Sequence, residues 1–208
     1  MAKSPGGPFS PQSGKVSNII FYTVDGQQMT RAKGNTGKNS NSEGSASNRR
    51  GFGNKQLWLN PIKPVIDLGF RNDKPYRGAM AYAISYMTAN AVTGKGSTAE
   101  IHPEKMKISV GSLGVPATAT MEFNDGELLV QWDPKVAGRD GHAYDQVLLA
   151  AYNIEEEFAE CRTKGIHRKD GQAAIPLTVP GEYHCYLGFI AEDRSRQSDS
   201  IYLGTVSL

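Results

Sequence analysis

The chain has 208 residues, 38% of them hydrophobic, with two cysteines and a formal net charge of +2. That length allows one large or two small domains, and two cysteines make no disulfide framework. The small total charge excludes a strong overall field that steers partners, and no stretch approaches the ~20 apolar residues of a membrane span.

The charge is unevenly placed. Residues 1–60 carry eight Lys and Arg against Asp25 and Glu43, a net +6, which leaves −4 on the rest. A basic arm on a mildly acidic body suits either nucleic acid or the acidic body of a neighbouring copy. The arm holds no nucleic-acid motif, so nucleic acid is the less favoured partner. The opening, MAKSPGGPFSPQSGK, lacks the apolar core of a secretory signal. The expectation is synthesis in the cytoplasm and a final place in a virion or an extracellular assembly.

Residues 1–16 are rich in Pro, Gly and Ser and read as extended. Residues 17–33 read as a β-hairpin. Ile19, Phe21 and Thr23 fall on one face, and Ile20, Tyr22 and Val24 on the other. Both faces are apolar, so the strand calls for cover on both sides. Asp25-Gly26 is a type I′ turn pair, and the polar return strand, Gln27 to Arg31, suits a sheet edge. Residues 34–51, GNTGKNSNSEGSASNRRG, are polar and of low complexity, and read as a flexible tether.

Residues 52–99 read as helical. Asn60-Pro61 fits a helix start, Gly69 a stop, and Ile62, Val65 and Ile66 form a short apolar stripe. Phe52, Leu57, Trp58 and Leu59 fit a preceding turn or two. A second helix spans about Gly78 to Val92, with Met80, Ala83, Ile84, Met87 and Ala91 on one face and Tyr82 and Tyr86 as a second ridge. That stripe is the signature of core packing.

From residue 100 the period changes to two. Strands are predicted at Lys105 to Gly111, Thr118 to Phe123, Glu127 to Trp132, Gln146 to Asn153, Phe158 to Thr163, Gln172 to Thr178, Glu182 to Glu192 and Ser200 to Ser207. Regular short strands with Gly, Pro and Asp turns indicate an all-β sandwich. The fold class is therefore mainly β with a helical insert: a sandwich over 100–208, an arm with a hairpin over 1–51, and two short helices over 52–99.

ELLVQWDP, YDQVLLAAYN, PGEYHCYLGFIAED and SDSIYLGTVSL follow one another in an order that resembles a fibronectin type III or immunoglobulin-like module. The resemblance places Trp132, Tyr152, Tyr183 and Cys185 in the sandwich core and makes Tyr183 a corner tyrosine. Cys185 has no partner cysteine for the antibody-type disulfide. SGKVSNIIFYTVDG, PIKPVIDLGF, MAYAISYMTANAVTG and KMKISVGSL together resemble an uncharacterised family found in Bacteroidota genomes. That resemblance implies architecture and no activity.

Chemistry is sparse. GNTGKNS and VTGKGST both miss the phosphate-loop spacing. His102, His142, His167 and His184 are scattered, and His184 and Cys185 point to opposite faces of a strand. Asp133, Asp140 and Asp145 flank a loop and invite a calcium reading, but their spacing fits no EF-hand. Glu155, Glu156 and Glu157 read as a solvated turn, and no G-x-S-x-G elbow accompanies any serine. The sequence predicts no enzyme, no cofactor and no metal.

The reading that follows is a structural protein that self-assembles through its arm and hairpin, as a phage virion component or an extracellular filament subunit. Ile19, Ile20, Phe21, Tyr22, Val24 and Arg31 are its assembly residues. Its expected partners are further copies of the chain, as a homo-oligomer or polymer, and other virion or filament proteins. Two alternatives stand beside it. One is an immunoglobulin-like adhesion module that recognises carbohydrate or protein through loops around Arg139 to Tyr144 and Arg194 to Gln197. The other is a nucleic-acid-binding accessory protein working through the basic arm.

Overall fold

A computed structural model of the chain describes residues 11–24, 26–34, 42–71, 78–135 and 141–208, apart from the side chain of Ser97. The chain divides into two compact units, Met1–Ser45 and Ala46–Leu208.

The first unit holds a three-stranded antiparallel meander, β1 (Gly14–Val16), β2 (Ile19–Val24) and β3 (Gln27–Ala32), with β2 in the middle. The predicted hairpin is present, and the stretch before it, expected to be extended, adds a third strand at Gly14–Val16. Ser17 takes the left-handed backbone (φ 49°) in the tight link between β1 and β2. The Val24–Gln27 register leaves two residues for the second link, where Gly26 has φ 79°. Asp25 lies outside the described residues, as do residues 1–10 and 35–41.

The second unit is a β-sandwich with a helical layer on one outer face. Its smaller sheet has the order β10-β7-β6, from β6 (Ala119–Asn124), β7 (Glu127–Trp132) and β10 (Gln172–Pro176). Its larger sheet has the order β12-β11-β8-β9, from β8 (Gln146–Asn153), β9 (Phe158–Arg162), β11 (Glu182–Ile190) and β12 (Ile201–Ser207). All pairings within these two sheets are antiparallel. This is a three-plus-four sandwich of immunoglobulin-like type. Trp132, Val130 and Ile175 from one sheet meet Val147, Tyr183, Cys185, Leu187 and Phe189 from the other in one apolar core. The Tyr183 hydroxyl donates to the Val179 carbonyl at 2.7 Å, the corner bond that the sequence pattern implied.

β8 and β11 are buried on both faces, which explains their nearly unbroken apolar sequence. Leu148, Ala150, Tyr152, Tyr186 and Ile190 point outward from the sandwich into a second core shared with the helices. Tyr152 therefore does not sit in the inter-sheet core. It is one residue out of phase with Ala151, and a strand places successive side chains on opposite faces.

Three helices form the outer layer, one more than the sequence suggested: α1 (Glu43–Leu59), α2 (Lys63–Gly69) and α3 (Ala79–Asn90). Trp58, Leu59, Ile62, Val65, Ile66, Phe70, Ala83, Ile84 and Met87 are their buried side. α2 starts after Ile62 rather than at Asn60, with Pro64 in its first turn, where a missing N–H costs nothing.

The main surprise is α1. Its first nine residues were read as part of the tether, because Gly, Ser and Asn are poor helix formers. Two of them, Ser47 and Gly51, are small where the helix runs against the backbone of residue 96. A Cβ built on Gly51 would lie 2.4 Å from the Gly96 carbonyl oxygen, and a Cβ on Gly96 would lie 2.0 Å from the Ser47 hydroxyl. The small residues at 47 and 51 are thus a packing requirement.

A further correction concerns Lys105 to Gly111, which is no strand. Lys105 closes a 3-10 turn, Pro103–Lys105, and residues 106–111 form a strap tied by side chains of the loop before β12. Ser200 Oγ accepts from Ile108 N at 2.9 Å, Asp199 Oδ1 accepts from Gly111 N at 3.0 Å, and Gln197 Nε2 donates to Val110 O at 2.9 Å. The strap needs glycine on both sides, because a Cβ on Gly69 would lie 2.1 Å from the Ile108 carbonyl oxygen and one on Gly188 2.5 Å from Ser109 Oγ. A short hairpin that the sequence did not suggest, β4 (Val92–Thr93) with β5 (Glu100–Ile101), follows α3.

Candidate functional site

The N-terminal sheet is the first candidate. Cross-strand partners share a face, so its register defines both surfaces. One carries Ile20 between Lys15 and Arg31, then Tyr22 beside Met29, then Val24 beside Gln27. The other carries Ile19 between Val16 and Ala32, then Phe21 between Gly14 and Thr30. The Arg31 guanidinium lies 5.6 Å from the Tyr22 ring centroid, a cation–π distance that holds the charge beside the apolar row. None of the described residues of this unit is buried. Val16, Ile19 and Met29 are 51%, 48% and 41% exposed. Ile20, Phe21, Tyr22 and Val24 are intermediate, and Arg31 is exposed.

The second candidate is a cleft of about 390 Å³ at one end of the sandwich. His142 and Asp145 before β8 meet Glu192, Asp193, Ser195 and Arg196 after β11. These are the two loops named for the adhesion reading, although Arg139 and Asp140 lie outside the described residues. Asp145 ties this cleft to a buried arginine. Arg168 is fully buried, donates from Nε to Asp145 Oδ2 at 3.1 Å and from Nη2 to the Gly114 carbonyl at 2.8 Å, and stacks 3.9 Å from the Phe189 ring centroid. Burial pulls its guanidinium below its ordinary value, and Asp145 counters that. Trp132 Nε1 donates to the Arg168 carbonyl at 2.8 Å, which ties this network to the sandwich core. Asp145 Oδ2 also accepts from His142 N at 2.9 Å, while Asp145 Oδ1 and Arg168 Nη1 have no partner. Asp193 accepts from both the N–H and the hydroxyl of Ser195, which holds its carboxyl below the usual range.

The other predicted chemistry disperses. Asp145 is occupied by Arg168, and Asp133 Oδ1 accepts from Lys135 N at 2.9 Å, so these two face different tasks. Among the described residues no group of three His, Cys, Asp or Glu is placed to hold a metal. Cys161 and Cys185 are free thiols, each pushed up to about 12, first by burial. His184 sits beside Tyr202 at 2.8 Å, and burial lowers its pKa against the opposing pull of Glu182 and Glu104. Glu155, Glu156 and Glu157 are exposed in the β8–β9 turn, as the sequence implied. The Arg168–Asp145 pair carried no sequence signal, because nothing in RKDG or HAYD marks an arginine for full burial.

A family model described as a family of unknown function (DUF6266) matches residues 11–204. The chain belongs to this family. The match takes in the N-terminal meander, the helices and the sandwich together. No curated protein matches the chain. Among the described residues no helix is long and apolar enough to cross a membrane.

Proposed function

We propose that the protein is a structural subunit that associates with further copies of itself through the N-terminal sheet, in a virion or an extracellular filament. The observation that carries this reading is a three-stranded unit, apolar on both faces, with no buried residue of its own among those described. A small sheet needs a covered apolar face to be stable. A second copy supplies that cover, and the basic first unit, a net +3 on residues 1–45, favours an acid-edged surface on that copy.

The test is the mass of the purified chain in solution. The full chain is expected to form a closed ring or a longer polymer. Ile20→Asp with Tyr22→Asp, or a chain beginning at Ser42, is expected to run as a monomer. Starting at Ser42 keeps α1 whole and keeps the Ser42 hydroxyl that accepts from Ser45 N. Equal masses for all three would remove the assembly role of the sheet.

A second reading is favoured by the loop-end cleft, where the buried Asp145 Oδ1 lacks a donor. An immunoglobulin-like module would take a hydroxyl-rich carbohydrate there against Asp193, Ser195 and Arg196. It predicts that Arg196→Ala abolishes glycan binding and leaves solution mass unchanged.

A further inference from the structure

The second unit carries another cleft, of about 380 Å³, on the helical side of the sandwich. Its walls come from three places. α1 contributes Leu57 and Trp58, the β4–β5 hairpin and the segment after it contribute Ile101 and Pro103, and β8 and the turn after it contribute Tyr152 and Glu157. The Trp58 and Tyr152 rings meet edge-on at 5.0 Å and form its floor. The close approach of Gly51 and Ser47 to Gly96 sets the distance between the α1 wall and the hairpin wall. The cleft is therefore built by the same small residues that made α1 hard to read.

Its chemistry is mostly apolar with a charged lip. Leu57 is 56% exposed, and Phe52, further along α1, is 54% exposed. Glu157 lines the edge and ends an exposed acidic run that begins at Glu155. The raised pKa of the Tyr152 hydroxyl, pushed up to about 12 by burial and by Glu157, agrees with an apolar, acid-edged site. A mainly apolar cleft with a few placed polar groups is the usual form of a recognition site.

One face of the N-terminal sheet has the opposite character in the same arrangement. Ile20 and Tyr22 form an apolar row, with Lys15 and Arg31 directly across from Ile20 on either side. The geometry points to this cleft as the acceptor for that face of a second copy: Ile20 and Tyr22 enter against Leu57 and Trp58, and Lys15 and Arg31 meet Glu155 to Glu157. This inference rests on the assembly reading and adds the receiving surface. Donor and acceptor are different surfaces, so the contact is heterologous and repeats from copy to copy, giving a ring or a filament.

The test mixes two full-length variants. Tyr22→Asp spoils the donor, and Leu57→Arg spoils the acceptor by placing a cation where the basic face must dock. Each variant alone is expected to be monomeric, with association at least tenfold weaker than the unaltered chain. Mixed, they are expected to form a one-to-one complex that grows no further, because each keeps one good surface. Glu157→Arg is expected to weaken association and to be rescued by Arg31→Glu, which a merely unfolded variant would not allow. If Tyr22→Asp lowers the mass but Leu57→Arg does not, the acceptor lies elsewhere and the assembly reading stands. If both variants lower the mass but the mixture stays monomeric, the pairing of these two surfaces is wrong. If the unaltered chain is itself a monomer, the assembly reading falls and this inference falls with it.

Discussion

Arg168 shows how much one residue can hold together. Its guanidinium joins Asp145, Gly114 and the Phe189 face, and its carbonyl takes the Trp132 indole. Removing one member of a buried ion pair strands the other, at a cost of about 3–5 kcal/mol. Arg168→Met is expected to lower stability by about that amount in denaturant unfolding, with Asp145 left as an uncompensated buried carboxylate. Arg168→Met with Asp145→Leu should recover a large part of the loss. The two thiols give a chemical check at the same scale. With pKa values of about 12, Cys161 and Cys185 are almost wholly protonated at pH 8, and the thiolate is the nucleophile. Both are expected to resist alkylation in the folded chain and to react fully once it is unfolded. Rapid labelling of either thiol in the native protein would contradict this burial. His184 sets a pH dependence with a definite sign. Its folded pKa lies below the ordinary 6.5, so the unfolded chain binds the proton more readily. The stability it contributes is present above pH 6.5 and is lost as pH falls below that value. Unfolding curves between pH 7.5 and pH 5 should show this loss, and His184→Gln should flatten that part of the profile.

At the level of elements, the strands were legible and α1 was not, for reasons that particular residues make plain. β7 alternates, with Leu128, Val130 and Trp132 turned inward, and its boundaries were readable to the residue. β8 and β11 are apolar throughout because each lies between two cores; Asp145 marked the start of β8 and Pro180-Gly181 that of β11, whose end at Ile190 falls two residues short of the predicted Glu192. In the first half of α1 the buried face is made of glycine and serine, so it has no apolar stripe to read. Two substitutions in this one helix separate the effects. Gly53 has nothing within 4 Å of a built Cβ, so Gly53→Ala should stabilise by up to ~1 kcal/mol through helix propensity alone. Gly51→Ala gains the same propensity but drives a Cβ against the Gly96 carbonyl oxygen at 2.4 Å, so it should destabilise. Thermal melts of the two variants shifting in opposite directions would confirm the contact; a shared upward shift would mean that this half of α1 does not pack there. The Lys105 to Gly111 strap escaped the sequence for a related reason. Its apolar alternation is that of a strand, but it bonds to side chains of residues 197–200 and to single backbone groups of Gly69 and Ser200 rather than to a neighbouring strand.

For the whole molecule, the distribution of charge and the apolar sheet make different demands on association, and salt separates them. The net +3 on the first unit, residues 1–45, attracts acidic surface on the second unit of another copy, and that attraction is screened once the Debye length, about 10 Å at 0.1 M, shortens toward 3 Å at 1 M. The contact made by Ile20 and Tyr22 is apolar and is not screened; salts such as sulfate strengthen it. Raising sodium chloride from about 0.05 M to about 0.5 M should therefore weaken association measurably without abolishing it, whereas Ile20→Asp with Tyr22→Asp should abolish it at every salt concentration. A nucleic-acid partner would behave otherwise. Its affinity would fall by orders of magnitude over that range, because each neutralised phosphate releases counterions, and the self-association of the chain would not change in step. Sedimentation of the full chain across the salt series, alone and with a single-stranded oligonucleotide, distinguishes the two. A shallow decline in self-association with no oligonucleotide bound supports the interlocking subunit. A steep, oligonucleotide-dependent curve would transfer the basic arm to nucleic acid and leave the apolar sheet without its proposed partner.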